Sequence, residues 1–149
     1  MTGIVDPITT SVLQHRLTAI VEEMGEAMLR TAYSQILKSS RDFSAAIVDK
    51  DCQLAAQAEH IPAPVGAMPW AARAVVDYFG DDVHEGDLFL VNDPYLGYGS
   101  HLPDVTVISP VFIDDSAPAF YAASRGHHAD IGGIMPGSMP PFSTSIDEE

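Results

Sequence analysis

The sequence has a single cysteine, Cys52, and only seven basic residues against 21 acidic ones. One thiol cannot form an internal disulfide, which favours a reducing compartment, and we expect a cytoplasmic protein. The formal net charge of −14 at pH 7 argues against nucleic acids and anionic membrane surfaces as partners, because both are polyanions. No apolar run approaches the roughly 20 residues of a membrane span, and no signal peptide is visible. We therefore predict a protein that binds neither nucleic acid nor membranes.

Hydrophobic residues make up 46% of the 149 residues, enough to build the core of one domain. Two segments have the three- and four-residue spacing of amphipathic helices. The first begins at Asp6 and Pro7, residue types suited to an N-cap and a first helical position, and is predicted to run from Pro7 to Leu37. The second is predicted over Met68–Phe79, with Gly80 as its C-terminal cap.

Short apolar runs separated by turn residues predict β-hairpins in the rest of the chain. FSAAIVDKDCQLAAQ has two such runs around residues 49–51, and VTVISPVFI pairs with PAFYAASR across residues 114–116. DLFLVND predicts a further strand. Helices followed by mixed or antiparallel strands indicate an α+β fold, with a long N-terminal helix, hairpins and a metal site carried by loops.

The metal site is predicted from imidazole and carboxylate side chains in the last third of the chain. His101 and Asp104 lie three residues apart, and the hairpin that follows should return His127 and His128 to their side. Mixed nitrogen and oxygen ligands suit Zn, Mn or Fe. Three protein ligands leave coordination positions open for water or substrate, as in catalytic sites. The same residues could instead be surface or hydrogen-bonded groups without a metal.

Neighbouring residues of an extended chain point in opposite directions, so one of His127 and His128 should bind the metal. The other would donate a hydrogen bond or act as acid or base. Asp130 is a candidate for orienting a ligand, and Asp93 for the same role or for capping a turn. His60 is a weaker catalytic candidate, because a loop histidine bonded to backbone fits it equally well.

Four stretches, which together cover essentially the whole chain, resemble the hydantoinase B family: DPITTSVLQHRLTAIVEEMGEAMLRTAYS, RDFSAAIVDKDCQLAAQAEHIPAPVGAMP, NDPYLGYGSHLPDVTVISPVF and ASRGHHADIGGIMPGSMPP. That family groups B-type subunits of N-methylhydantoinases and related lactamases, the C-terminal half of 5-oxoprolinases, and subunits of acetone and acetophenone carboxylases. Its members are considerably longer. The resemblance thus implies that residues 1–149 are the N-terminal part of a hydantoinase B-type domain.

The resemblance implies a component of an ATP-dependent hydrolase that opens cyclic amides such as hydantoins, lactams or 5-oxoproline. An actin-like A-type ATPase subunit would bind ATP with Mg and phosphorylate the substrate, so a hetero-oligomer is expected and the chain alone would be inactive. His101, Asp104 and one of His127 and His128 would bind a divalent metal. The catalytic candidates are His128, Asp130 and His60.

Three other functions fit the same sequence. The chain could be a subunit of an ATP-dependent ketone carboxylase, since the family's motifs span both reactions. It could be a metallohydrolase that needs no ATP, or a non-catalytic interaction fragment that docks through its long helix.

The ligand loop departs from the family's usual GGTHLPD, because it reads GYGSHLPD with Tyr98 and Ser100. Tyr98 adds bulk there, which would alter the shape of the substrate that the site accepts.

Overall fold

The helices lie where the sequence predicts them, with one difference at the end of the first. The computed structural model describes residues 6–58, 66–97, 99, 101–113, 117–138 and 140–148. Helix α1 spans Pro7–Thr31, α2 spans Gln35–Lys38 and α3 spans Met68–Phe79, and a single 3-10 turn covers Ile146–Glu148. The backbone N–H of Thr9 donates to Asp6 Oδ2 over 3.1 Å, which confirms the predicted N-cap.

The prediction of one helix from Pro7 to Leu37 is wrong beyond Thr31. Ala32 adopts an extended conformation, with φ −66° and ψ 137°, and a separate short helix follows. The break turns the chain so that Leu37 lies over Gly126 in the sheet, where a Cβ added to Gly126 would be 3.2 Å from Leu37 Cδ2. Tertiary packing therefore overrides the helical periodicity at this point.

The described strands form one antiparallel sheet, which confirms the α+β prediction. The strands are β1 (Phe43–Asp49), β2 (Leu54–Gln57), β3 (Phe89–Val91), β4 (Asp104–Phe112) and β5 (Pro118–His127). Their order across the sheet is β2-β1-β5-β4-β3. Both predicted hairpins, β1–β2 and β4–β5, are present. The central strand β5 is thus bonded along both of its edges.

Each face of the sheet packs against a helix. On one face α3 covers a core of ten buried residues: Ala46, Val48, Cys52, Met68, Ala71, Ala72, Val75, Ile108, Tyr121 and Ala123. On the other, α1 contributes Val21 to a second core with Ala45, Ile47, Ala56 and Ala58. Alternate residues of β1 enter opposite cores because strand side chains alternate between faces. No helix of the described residues is long and apolar enough to span a membrane.

Replacing Ile108 with alanine should lower the free energy of unfolding by about 2–5 kcal/mol, because it leaves a cavity in the core beneath α3. Ile108 has no exposed surface, whereas Ile113, just beyond the same strand, is 75% exposed. Ile113→Ala is therefore the matched control, with an expected change of less than about 0.5 kcal/mol. Urea unfolding followed by circular dichroism measures both, and equal losses in the two variants would contradict this packing.

Candidate metal centre

The pairing of β4 with β5 brings two of the predicted ligands together. Asp104 is the first residue of β4 and lies directly opposite His127, the last residue of β5. The end of β5 is held on both sides, since the N–H of His127 donates to the Asp42 carbonyl and that of His128 donates to the Pro103 carbonyl. This backbone arrangement fixes the direction of the His127 side chain.

His101 reaches the same point from a tight turn. The N–H of Asp104 donates to the His101 carbonyl over 3.2 Å, so the chain folds back within three residues. The Asn92 side chain bonds the Leu102 carbonyl over 3.2 Å and ties the turn to the end of β3. The His101 and His127 rings lie side by side, with centroids 4.9 Å apart. The sequence did not single out Asn92.

Three ligand atoms form a nearly equilateral triangle. His101 Nε2, His127 Nδ1 and Asp104 Oδ1 are each 3.1 Å from the other two. Hydrogen bonds alone satisfy this triangle poorly: if both imidazoles donate to the carboxylate, their two N–H groups also approach one another. One cation bound to all three atoms removes that conflict. Bonds of about 2.1 Å in tetrahedral or octahedral geometry imply separations of roughly 3.0–3.4 Å, so the donor set fits a divalent metal.

The triangle is recessed yet reachable from solvent. The side chain of Asp104 is 7% exposed, that of His127 is 12% exposed and that of His101 is 20% exposed. Buried carboxylates require a compensating charge, and the two histidine side chains keep part of their surface in contact with solvent. The three side chains can hold a cation, and among the described residues no fourth potential ligand joins them, so coordination positions are left for other molecules.

The family model described as Hydantoinase B/oxoprolinase matches residues 6–149. The chain belongs to the hydantoinase B/oxoprolinase family. It is 47% identical over 147 residues to 5-oxoprolinase 1 of Arabidopsis thaliana, an alignment that covers 99% of this chain and 12% of that protein.

Two further relatives extend the comparison. The caprolactamase subunit beta of Pseudomonas jessenii is 34% identical over 97% of this chain and 25% of its own length. The crystal structure of that organism's ATP-dependent caprolactamase superposes with a TM-score of 0.86, at 33% identity, over 99% of this chain and 25% of its own. A nucleotide-free acetone carboxylase structure gives a TM-score of 0.82, at 25% identity, over 91% of this chain and 18% of its own. The chain thus spans a quarter or less of each relative.

Of the two adjacent histidines, His127 is the one that joins the triangle. His128 is exposed and, among the described residues, is not part of the cluster of potential ligands. Asp93 caps a turn, with its carboxylate accepting from the N–H groups of Tyr95 and Leu96. His60 lies outside the described residues. The sequence left the choice between His127 and His128 open because it could not fix where β5 ends.

The carboxylate of Asp130 organises the loop after β5. It accepts from the N–H groups of Gly132 and Gly137 and from the Ser138 hydroxyl. Gly132 and Gly137 have φ of +96° and +86°, a region that glycine adopts without strain. The bonds from Gly132 and Gly137 lower the pKa of Asp130 from its ordinary value of 3.8.

Two polar residues that the sequence did not single out stand beside the triangle. Arg125, two residues before His127, is 1% exposed, and Thr106, two residues after Asp104, is fully buried. The Arg125 Nε–H donates to Thr106 Oγ1 over 2.6 Å. Burial lowers the pKa of Arg125, and the negative charge of Asp104 opposes that effect. The sequence signal that could have pointed to Arg125 and Thr106 is their spacing from His127 and Asp104, because residues two apart on a strand share a face of the sheet.

The Asp130 loop should lose stability in acid. Because the folded-state pKa of Asp130 lies below that of the unfolded chain, the ionised carboxylate stabilises the loop above about pH 4, and this contribution is lost as the pH falls through the folded value. We expect the Gly132 amide resonance to titrate with a midpoint below 3.8, and Asp130→Asn to abolish the titration. NMR measures both, and a midpoint at or above 3.8 would contradict the assignment.

Proposed function

We propose that this chain carries the metal-binding part of an ATP-dependent enzyme that opens cyclic amides. The observation that carries the proposal is the triangle of His101, Asp104 and His127, with 3.1 Å between each pair of ligand atoms. Membership of the hydantoinase B/oxoprolinase family supports the reaction class. On this proposal residues 1–149 correspond to the N-terminal part of a hydantoinase B-type domain.

In the proposed site, Asp104 supplies the negative charge and two imidazoles supply neutral nitrogen donors to Zn, Mn or Fe. The bound ion would contribute Lewis acidity toward the oxygen of a carbonyl or of water. The residues of the chain would hold the ion in place: the β4–β5 pairing fixes Asp104 and His127, and the turn tied by Asn92 fixes His101. Their rigidity matters because a displaced ligand weakens both metal binding and substrate alignment.

The proposed role for ATP follows from the chemistry of amides. An amide carbonyl is a poor electrophile, and phosphorylation of its oxygen converts that oxygen into a leaving group. Two relatives are described as ATP-dependent, the caprolactamase and the acetone carboxylase. We propose that a hydantoinase A-type ATPase subunit binds ATP with Mg, that the two form a hetero-oligomer in the cytoplasm, and that this chain is inactive alone. The name caprolactamase subunit beta supports a partner.

His128 and Asp130 remain proposed catalytic residues. His128 follows a metal ligand directly and is exposed, so its ring is free to approach a substrate as acid or base. The Asp130 carboxylate is hydrogen-bonded within its own loop. Asp130 would therefore influence the reaction by positioning that loop. His60 is a proposal from sequence alone.

A second candidate function is ketone carboxylation. It is favoured by the acetone carboxylase structure, which matches 91% of this chain. The same three ligands and the same need for ATP would serve either reaction. Incorporation of labelled bicarbonate into acetone, without ring opening of 5-oxoproline, would establish this alternative.

His101→Ala and Asp104→Asn should each remove metal and ATP-dependent ring opening. His101→Ala deletes one of three ligands and Asp104→Asn replaces the charged carboxylate with a neutral amide, so the loss of metal affinity should exceed the roughly 10–100-fold caused by losing an outer partner. Elemental analysis of the chain with its ATPase partner, beside an assay of 5-oxoproline opening, measures both.

His84→Ala is the matched control. His84 also lies near two carboxylates, those of Asp82 and Asp87, but its side chain is 69% exposed. About one equivalent of divalent metal should remain in this variant and in the parent. Full metal content in His101→Ala, or none in the parent complex, would refute the proposed site.

A further inference from the structure

The proposed ligands occupy one end of a polar patch on an otherwise apolar sheet face. On β4 and β5, Asp104 faces His127 and, one step inward, Thr106 faces Arg125. The next pair on that face is Ile108 with Ala123, which belongs to the core beneath α3. Arg125 and Thr106 therefore separate the metal centre from the hydrophobic core.

The burial of the charged Arg125 side chain requires an explanation in terms of its partners. A guanidinium keeps its charge in proteins, and removing a charge from water is costly unless partners compensate. Arg125 is 1% exposed, donates to Thr106 and is stabilised by the charge of Asp104. Asp104 is itself 5% exposed. Each of these two buried charges thus compensates part of the cost of burying the other.

We propose that Arg125 is a positioning residue for the metal centre, acting through Asp104. Its bond to Thr106 anchors the guanidinium on β4, and its charge attracts the neighbouring carboxylate along the same strand face. That attraction holds Asp104 Oδ1 where the nitrogens of His101 and His127 converge. This inference rests on the proposed metal site.

Two effects of Arg125 on metal binding oppose each other. Its positive charge repels a divalent cation, which weakens binding, whereas its hold on Asp104 orients a ligand, which strengthens binding. We expect orientation to dominate, because outer partners of metal ligands typically contribute 10–100-fold to affinity. Whether metal affinity falls or rises when the Arg125 charge is removed therefore decides the role of Arg125.

The test is the dissociation constant for Zn²⁺, measured by chelator competition on the parent and four variants. Arg125→Met removes the charge and should weaken binding 10–100-fold. Arg125→Lys keeps the charge and should recover part of that loss. Thr106→Val removes the anchor and should weaken binding several-fold. Arg73→Met is the control: that guanidinium bonds the Asp51 carbonyl on the β1–β2 turn, and its loss should leave binding unchanged.

Circular dichroism establishes which variants fold, and X-ray absorption of the Zn²⁺-loaded forms reports the coordination shell. Binding by folded Arg125→Met that equals or exceeds that of the parent would overturn the proposal while leaving the metal site intact. If Arg125→Met does not fold, parent-like affinity in both Arg125→Lys and Thr106→Val overturns it. A parent that binds no Zn²⁺ overturns the metal site and this inference together.

Discussion

The antiparallel register of β4 and β5 is the constraint on which the site depends. Because side chains alternate along a strand, a slip of one residue would turn Asp104 or His127 to the opposite face of the sheet. The register is held by the central position of β5, bonded to β1 on one edge and β4 on the other. Apolar side chains fix it further, since each sheet face has its own core.

The site lies where this rigid sheet meets its loops. Asp104 begins β4 and His127 ends β5, so both candidate ligands have a paired strand on one side and a loop on the other. The turn contributes His101, whose position depends on the hydrogen bond that the Asp104 N–H donates to the His101 carbonyl. A scaffold of strands with one ligand from a loop suits a metal centre that must be preorganised and still admit a substrate.

Much of the fold and of the candidate site could be predicted from the sequence, because local patterns determine local structure. The N-cap at Asp6, α3 with its Gly80 cap and both hairpins follow from periodicity and turn chemistry. The end of α1 could not be predicted, since it depends on Leu37 packing against Gly126, residues distant in sequence. The choice of His127 over His128 likewise required the strand register, and Arg125 was hidden in a strand whose partners were unknown.

The most direct test of the central claim is an anomalous-scattering experiment on crystals of the protein loaded with Zn²⁺ or Mn²⁺. The account predicts one peak about 2.1 Å from His101 Nε2, His127 Nδ1 and Asp104 Oδ1 alike. A metal bound elsewhere, or full loading with no peak within reach of those three atoms, would contradict it.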